Sequence, residues 1–319
     1  MAQIGQDITL AKKLLEQGDL VAIPTETVYG LAGNALNEKA LLEIFKVKRR
    51  PKFDPLIVHT DSIEKIKKLV THIPDQLQQL ADAFWPGPLT LLLEKQLFVP
   101  DLLTSGLPHV AVRIPRHAVT LDLLASLDFP LAAPSANPFG YISPTTAQHV
   151  ADQLGTLIPY ILDGGDCHVG LESTIIGFDE LNRPVVYRLG GKKMEDIEAV
   201  IGPVRLRLNE SSDPSAPGML KSHYAPKKCL YIGKVEDLLL HHQGKKIGVI
   251  SFMATRPSLS IDRQLVLSST GDMDEAASKL FGSLRLMDQS DVDIIIAERF
   301  PEDGLGAAIN DRLKRASTR

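Results

Sequence analysis

Five cations, Lys46, Lys48, Arg49, Arg50 and Lys52, fall within seven residues of FKVKRRPKFDPLIVH, the stretch from Phe45 to His59. Such side chains neutralise phosphate oxygens, and Pro51 and Pro55 restrict the backbone that carries them. A second reading is available, because cations at a helix C-terminus interact favourably with its macrodipole by about 0.3–1 kcal/mol each. One or two cations are explained that way; five strain the account. Lys48 strains it most, since it continues the apolar stripe of Leu41, Ile44 and Phe45 and so faces the protein rather than solvent. The cluster reads either as a polyanion receptor or as a solvated helix end.

Other polar side chains stand where predicted strands stop or start. The apolar run LVAIP leads into TETVYG, with hydroxyls at Thr25 and Thr27, and PLIVH ends on His59. AAPSAN closes another run with Ser135 and Asn137, and Ser143 precedes a helical pattern whose first turn could receive an anion. GLESTIIGF sets Ser173 and Thr174 at a strand start, and VVYRLGG brings Arg188 to a strand end. Singly, each is equally a polar turn, an N-cap or, for His59, a buried structural histidine. Together they place hydroxyls, amides and cations repeatedly at strand ends, where open α/β sheets bind ligands.

The absences narrow the chemistry. No GxxxxGK[ST] loop, HExxH pair or GxSxG elbow occurs. The two cysteines, Cys167 and Cys229, lie far apart in no metal-ligand spacing. The nine histidines do not cluster, and the adjacent His241 and His242 read as a solvated pair. No covalent nucleophile stands out, and no metal ligand is assigned from the protein.

The elements that must position these groups follow from period and punctuation. Ile8, Ala11, Leu14 and Leu15 predict a helix over 7–18 that stops at Gly18. A second helix runs from Asn37, a suitable N-cap, to about Arg50, since Pro51 disfavours helix in the residue before it. Helical patterns recur at 61–70, 74–85, 117–127, 145–154 and 193–201. Strand-like runs at 20–24, 55–59, 89–95, 109–115, 130–135 and 174–178 lie between them. This alternation predicts an α/β domain over 1–207, with a mixed sheet because several connections are short. Residues 208–228, LNESSDPSAPGMLKSHYAPKK, have no period and read as a linker. From 229 to 319, the apolar runs CLYIG, KIGVISF, RQLVLSS and DIIIAERF predict a small Rossmann-like α/β domain. A helix with Ala277, Leu280, Phe281 and Leu284 on one face precedes its last strand, and AAINDRLKRAS closes the chain as another. It has no GxGxxG, so nothing there signals a dinucleotide.

With 44% hydrophobic and 23% charged residues the chain is globular rather than disordered, and its 319 residues exceed one usual core. A net charge of −4 argues against coating nucleic acid through bulk charge and leaves only a local basic patch for phosphates. The N-terminus lacks a signal-peptide profile, and no apolar run reaches the roughly 18 to 20 residues of a membrane helix. A cytoplasmic protein with no membrane association is the expectation.

At this point a resemblance emerges. PTETVYGL, the K-x-R of Lys48 and Arg50 followed by P-x-x-x-P-L-I-V-H, WPGPLT, AVRIP, the S-x-N of Ser135 and Asn137, and ESTII occur in order. Together they resemble the YrdC-type threonylcarbamoyl-AMP synthases, and HYAP with the second α/β domain resembles the long, two-domain form. The resemblance implies a YrdC-like twisted mixed sheet around a concave basic cavity. It implies a nucleotidyltransferase that condenses L-threonine, bicarbonate or CO2, and ATP into threonylcarbamoyl-AMP and pyrophosphate, with Mg2+ accompanying ATP. Downstream proteins would then transfer the threonylcarbamoyl group to tRNA.

Carried onto this chain, the resemblance implies that Lys48 and Arg50 are the catalytic phosphate ligands. Asp54, His109, Ser135, Asn137, Ser143 and Arg188 would share the nucleotide side, and His223 and Tyr224 would close over it from the 208–228 segment as a lid. Thr27, His59, Arg113, Ala133 and Ser173 would surround threonine, with Arg113 pairing its carboxylate bidentately. A third reading is a related family member with other nucleotide chemistry, and for the synthase itself a weak RNA contact is a further expectation. The rival reading is a non-catalytic RNA-binding module whose basic concavity holds tRNA or double-stranded RNA. Few aromatics and the negative net charge count against it.

Overall fold

The computed structural model describes residues 1–207 and 223–318. Most of the 208–228 segment therefore lies outside the described residues, apart from its end at His223 to Lys228.

The first sheet contains β1 (Gln3–Gly5), β2 (Val21–Ile23), β3 (Gly30–Asn34), β4 (Ile57–His59), β5 (Leu89–Glu94) and β6 (His109–Arg113). It continues with β7 (Leu131–Ala132), β8 (Tyr160–Leu162), β9 (Thr174–Phe178), β10 (Pro184–Arg188) and β11 (Arg205–Leu206). Their order is β1-β8-β2-β3-β7-β4-β6-β5-β9-β10-β11, with parallel and antiparallel pairs intermixed, as the short connections predicted. The second sheet, β12 (Cys229–Ile232), β13 (Ile247–Ser251), β14 (Arg263–Val266) and β15 (Ile294–Ala297), is wholly parallel in the order β12-β15-β13-β14.

The helix Glu38–Lys48 forms for the reasons legible in its sequence. The side chain of Asn37 accepts the N–H groups of Lys39 and Ala40, and Leu41, Ile44, Phe45 and Lys48 face inward. It ends where Arg49 turns left-handed at φ 53°, two residues before Pro51. Helix Met273–Gln289 buries its predicted face of Ala277, Leu280, Phe281 and Leu284, and also Arg285 and Asp288. A helix covered on so much of its circumference is wedged between layers. One continuous apolar core accordingly joins residues of the first sheet, such as Leu31 and Leu91, to Phe281, Leu284, Ile309 and Leu313.

Candidate active site

A cavity of about 560 Å3, part of it open to solvent, is lined by residues from several separated segments, among them Thr27, Arg50, His59, Arg113, Ser135 and Arg188. Ile57 and His59, alternate residues of β4, both face it, so the cavity lies over a sheet face. This corrects the expectation of a site along strand carboxyl edges. A mixed sheet has no common carboxyl edge: His59 pairs with Leu131 at the start of β7, whereas Ser135 lies beyond its end, beside Gly30.

The turn after β2 is a network of hydroxyls. Thr25 Oγ1 donates to Val28 O at 2.6 Å and accepts the N–H groups of Thr27 and Val28. With that single hydrogen committed, Thr27 Oγ1 donates to Thr25 Oγ1 at 2.8 Å and accepts Arg113 Nη1 at 3.0 Å. Arg113 also donates from Nε to Gly87 O, and its Nη2 lies 2.7 Å from Glu26. His59 sits beside it, its ring Nδ1 3.3 Å from Ile57 O. Burial, with Arg113 adding to it, lowers the His59 pKa to about 3, so the ring is neutral. Ala133 lines the same cavity. Ser173 Oγ lies 2.7 Å from Thr90 Oγ1 and accepts Arg188 Nη2 at 3.0 Å. All five residues expected around threonine thus line one cavity.

The nucleotide set divides. Arg50, Ser135, Arg188, His223 and Tyr224 line the cavity. Arg50 is held by Asp54, whose carboxylate is 2.9 Å from Nη2, and by bonds to the carbonyls of Asp54 and Pro55. Asp54 is buried, lies outside the cavity lining and holds the Arg50 guanidinium. Lys48 is buried as its stripe position predicted, but its Nζ donates to Ser135 O and, at 2.6 Å, to Asn137 O. Its own carbonyl accepts Phe139 N–H at 2.7 Å. The lysine grips the 135–139 loop and does not line the cavity. Asn137 likewise spends its amide on Pro138 O and Tyr141 O, and Ser143 Oγ donates to Glu172 at 2.6 Å. His109 is exposed at the start of β6, the far end of the strand from Arg113, and its placement at the site is corrected. A strand rises about 3.3 Å per residue, so these two ends are separated by roughly 13 Å.

His223 and Tyr224 enter from the end of the linker. Their rings meet edge to face at 4.1 Å, and Tyr224 stacks on Phe281 at 5.4 Å. Tyr224 adopts φ 64°, a left-handed backbone that costs a bulky residue of order 1–3 kcal/mol and is held by these contacts. Burial, then the charges of Arg50, Lys48, Arg312 and Arg315, push His223 well below the usual histidine range. The four cations that face His223 come from both parts of the chain, Lys48 and Arg50 from the first and Arg312 and Arg315 from helix Gly306–Ser317.

Three contributors escaped sequence reasoning. Glu26 and Glu172 sit inside the motifs PTETVYG and GLEST, but a carboxylate carries no signal for anion binding. Arg312, from helix Gly306–Ser317, donates to Glu172 at 2.9 Å. It lies on the stripe of Leu305, Ala308, Ile309 and Leu313, the same misplaced-charge signal that marked Lys48. Gly190 allows the meeting of strands: a Cβ there would lie 2.2 Å from Glu172 O, so only glycine lets the Arg188 strand end pass so close.

Among the described residues no group of three or more His, Cys, Asp or Glu side chains could hold a metal, and no helix is long and apolar enough to cross a membrane.

The family model Sua5_yciO_yrdC, described as "Telomere recombination", matches residues 13–190, and the "Threonylcarbamoyl-AMP synthase, C-terminal domain" model matches 193–318. A threonylcarbamoyl-AMP synthase of Pyrococcus abyssi is 43% identical over 97% of this chain and 94% of its own length. One from Bacillus subtilis is 39% identical over 97% and 92%. The crystal structure of P. abyssi Sua5 complexed with L-threonine superposes with a TM-score of 0.92 at 40% identity, covering 99% of this chain and 97% of that one. With both family models together covering the chain, and full-length relatives at 39% and 43% identity, the chain belongs to the two-domain threonylcarbamoyl-AMP synthase family.

Proposed function

We propose that this cavity condenses L-threonine, bicarbonate or CO2, and ATP into threonylcarbamoyl-AMP with release of pyrophosphate. One observation carries the reading: a single cavity joins Arg113, tethered to Thr27, to a second cationic wall of Arg50 and Arg188, the latter holding Ser173. The first suits an amino-acid carboxylate and the second a triphosphate.

In this reading the substrate supplies its own nucleophile. The threonine amine adds to CO2 and loses a proton, giving a carbamate. A carbamate oxygen then forms a bond to the α-phosphorus as the bond to the bridging oxygen of pyrophosphate breaks. The chain's work is to hold two anions together and stabilise the charge that develops on the phosphates. Arg50 and Arg188 do the second, with Lys48 fixing the Ser135 loop at that wall. His223 and Tyr224 cover the reactants and limit water. A Mg2+ ion fits if the nucleotide carries it, because Glu172, the carboxylate lining the cavity, already bonds through both oxygens. Such an ion would screen the triphosphate as pyrophosphate departs.

We divide the chain into a synthase domain over 1–207, a lid segment over 208–228 and a supporting domain over 229–319. The product would pass, in the cytoplasm, to proteins that transfer the threonylcarbamoyl group to tRNA. Pyrophosphate release should require ATP, threonine and bicarbonate together. Release that persists without threonine or bicarbonate would sink the proposal.

A further inference from the structure

The C-terminal domain drives a buried arginine into the wall that the reading above gives to ATP. Arg312 is 0% exposed. Its Nε donates to Glu172 Oε2 at 2.9 Å, its Nη2 to Leu189 O at 2.6 Å and its Nη1 to Asp311 Oδ2 at 2.7 Å. Its guanidinium carbon lies 5.1 Å from the centre of the Tyr224 ring. Glu172 precedes Ser173, and Leu189 follows Arg188. One side chain from the second domain therefore touches two residues of the cavity wall, Glu172 and Tyr224, and the carbonyl next to a third, Arg188.

The rest of the interface reinforces the same wall. Glu172 Oε1 accepts Ser143 Oγ at 2.6 Å, so the carboxylate is clamped between Ser143 and Arg312. Arg285, from helix Met273–Gln289, bonds to Ile142 O and reaches Ser143 O at 3.4 Å. Gly170 lies so close to that helix that a Cβ would sit 2.4 Å from Ser278 Cα. Asp311 also pairs with Arg315 at 3.0 Å, which balances the charges around Arg312.

Two consequences follow. A carboxylate facing a triphosphate repels it, and the contact with Arg312 cancels that charge. A planar fork also sets Glu172, Leu189 and Tyr224 in fixed relation, which the single point charge of lysine does not. We propose that Arg312 is a positioning residue for the nucleotide: it holds this wall and neutralises Glu172, so that ATP binding depends on the docked C-terminal domain.

The test uses the full chain carrying Arg312→Met, Arg312→Lys or the double change Arg312→Met with Glu172→Gln, each checked for folding by circular dichroism. Pyrophosphate release then gives KM for ATP and for threonine. Arg312→Met should raise the ATP KM about tenfold or more while the threonine KM stays within about twofold. Arg312→Lys should not restore it, and the double variant, free of the repulsion but not of the lost geometry, should recover only part. A folded Arg312→Met with the wild-type ATP KM, or with both KM values raised equally, would overturn the proposal. Should that variant fail to fold, the double variant decides: an ATP KM still above wild type supports the assignment, and a wild-type value overturns it. Wild-type protein without threonine-dependent release would instead refute the underlying functional reading.

Discussion

Arg113 ties Thr27 to Glu26 across the floor of the cavity: Nη1 donates to Thr27 Oγ1 at 3.0 Å while Nη2 lies 2.7 Å from the buried carboxylate. An arginine so tethered presents its remaining N–H groups in a fixed direction, which suits bidentate capture of a carboxylate. Arg113→Lys keeps the charge and loses the fork. Its threonine KM should rise about tenfold or more, with the ATP KM little changed, as measured by pyrophosphate release. Equal effects on both substrates would contradict the assignment of Arg113 to threonine.

Lys48 carries a different prediction from the one its sequence position suggested. Its side chain holds the carbonyls of Ser135 and Asn137, so Lys48→Met removes that partner from both, although Ser135 O keeps the N–H of Asn137. Leaving the buried Asn137 carbonyl without the lysine costs about 1–3 kcal/mol, offset in part by relief of burying the lysine. The variant should unfold at lower urea concentration and turn over more slowly because the Ser135 loop loses its anchor. An unchanged unfolding midpoint would show that the clamp contributes nothing.

What the sequence revealed, and what it hid, divide along physical lines. Long periodic helices such as Glu38–Lys48 and Met273–Gln289, and apolar strands such as β5 and β13, carry their pattern locally and were legible. Strand β3, GLAGN, was not: its small residues have weak strand propensity, and it exists because β2 and β7 flank it. At Gly33 a Cβ would come within 2.8 Å of the Leu20 Cδ2 methyl, so the residue that disguises the strand also lets Leu20 and Ile44 pack close to it. The site followed the same rule. Thr27, His59, Arg113 and Ser173 stood in recognisable motifs, whereas Arg312 comes from a helix over a hundred residues beyond Arg188 and is brought in by tertiary packing alone.

Arg50 and Asp54 form a buried pair 2.9 Å apart, four residues from each other. Removing one partner of such a pair typically costs about 3–5 kcal/mol, because the other charge stays buried. Asp54→Ala should therefore lose stability of that order in urea titration and weaken ATP binding as Arg50 loses its orientation. ATP binding unchanged in a folded Asp54→Ala protein would assign the pair a structural role only.

His59 predicts a pH dependence. Its pKa falls from 6.5 to about 3, first through burial and then through Arg113. Between those values the unfolded chain binds the proton and the folded chain does not, so this contribution to stability is complete above the unfolded value and is lost as pH falls toward 3. His223 shifts in the same direction. In His59→Gln the loss of unfolding free energy on acidification should be shallower than in the wild type. An identical slope would show that His59 does not carry it.

The most direct measurement follows the carbon that the cavity is proposed to fix. Wild-type protein, supplied with ATP, Mg2+, threonine and 13C-bicarbonate, should yield a nucleotide product whose mass includes threonine and the labelled carbon, alongside pyrophosphate. Unlabelled AMP alone, or ADP with phosphate, would contradict the account.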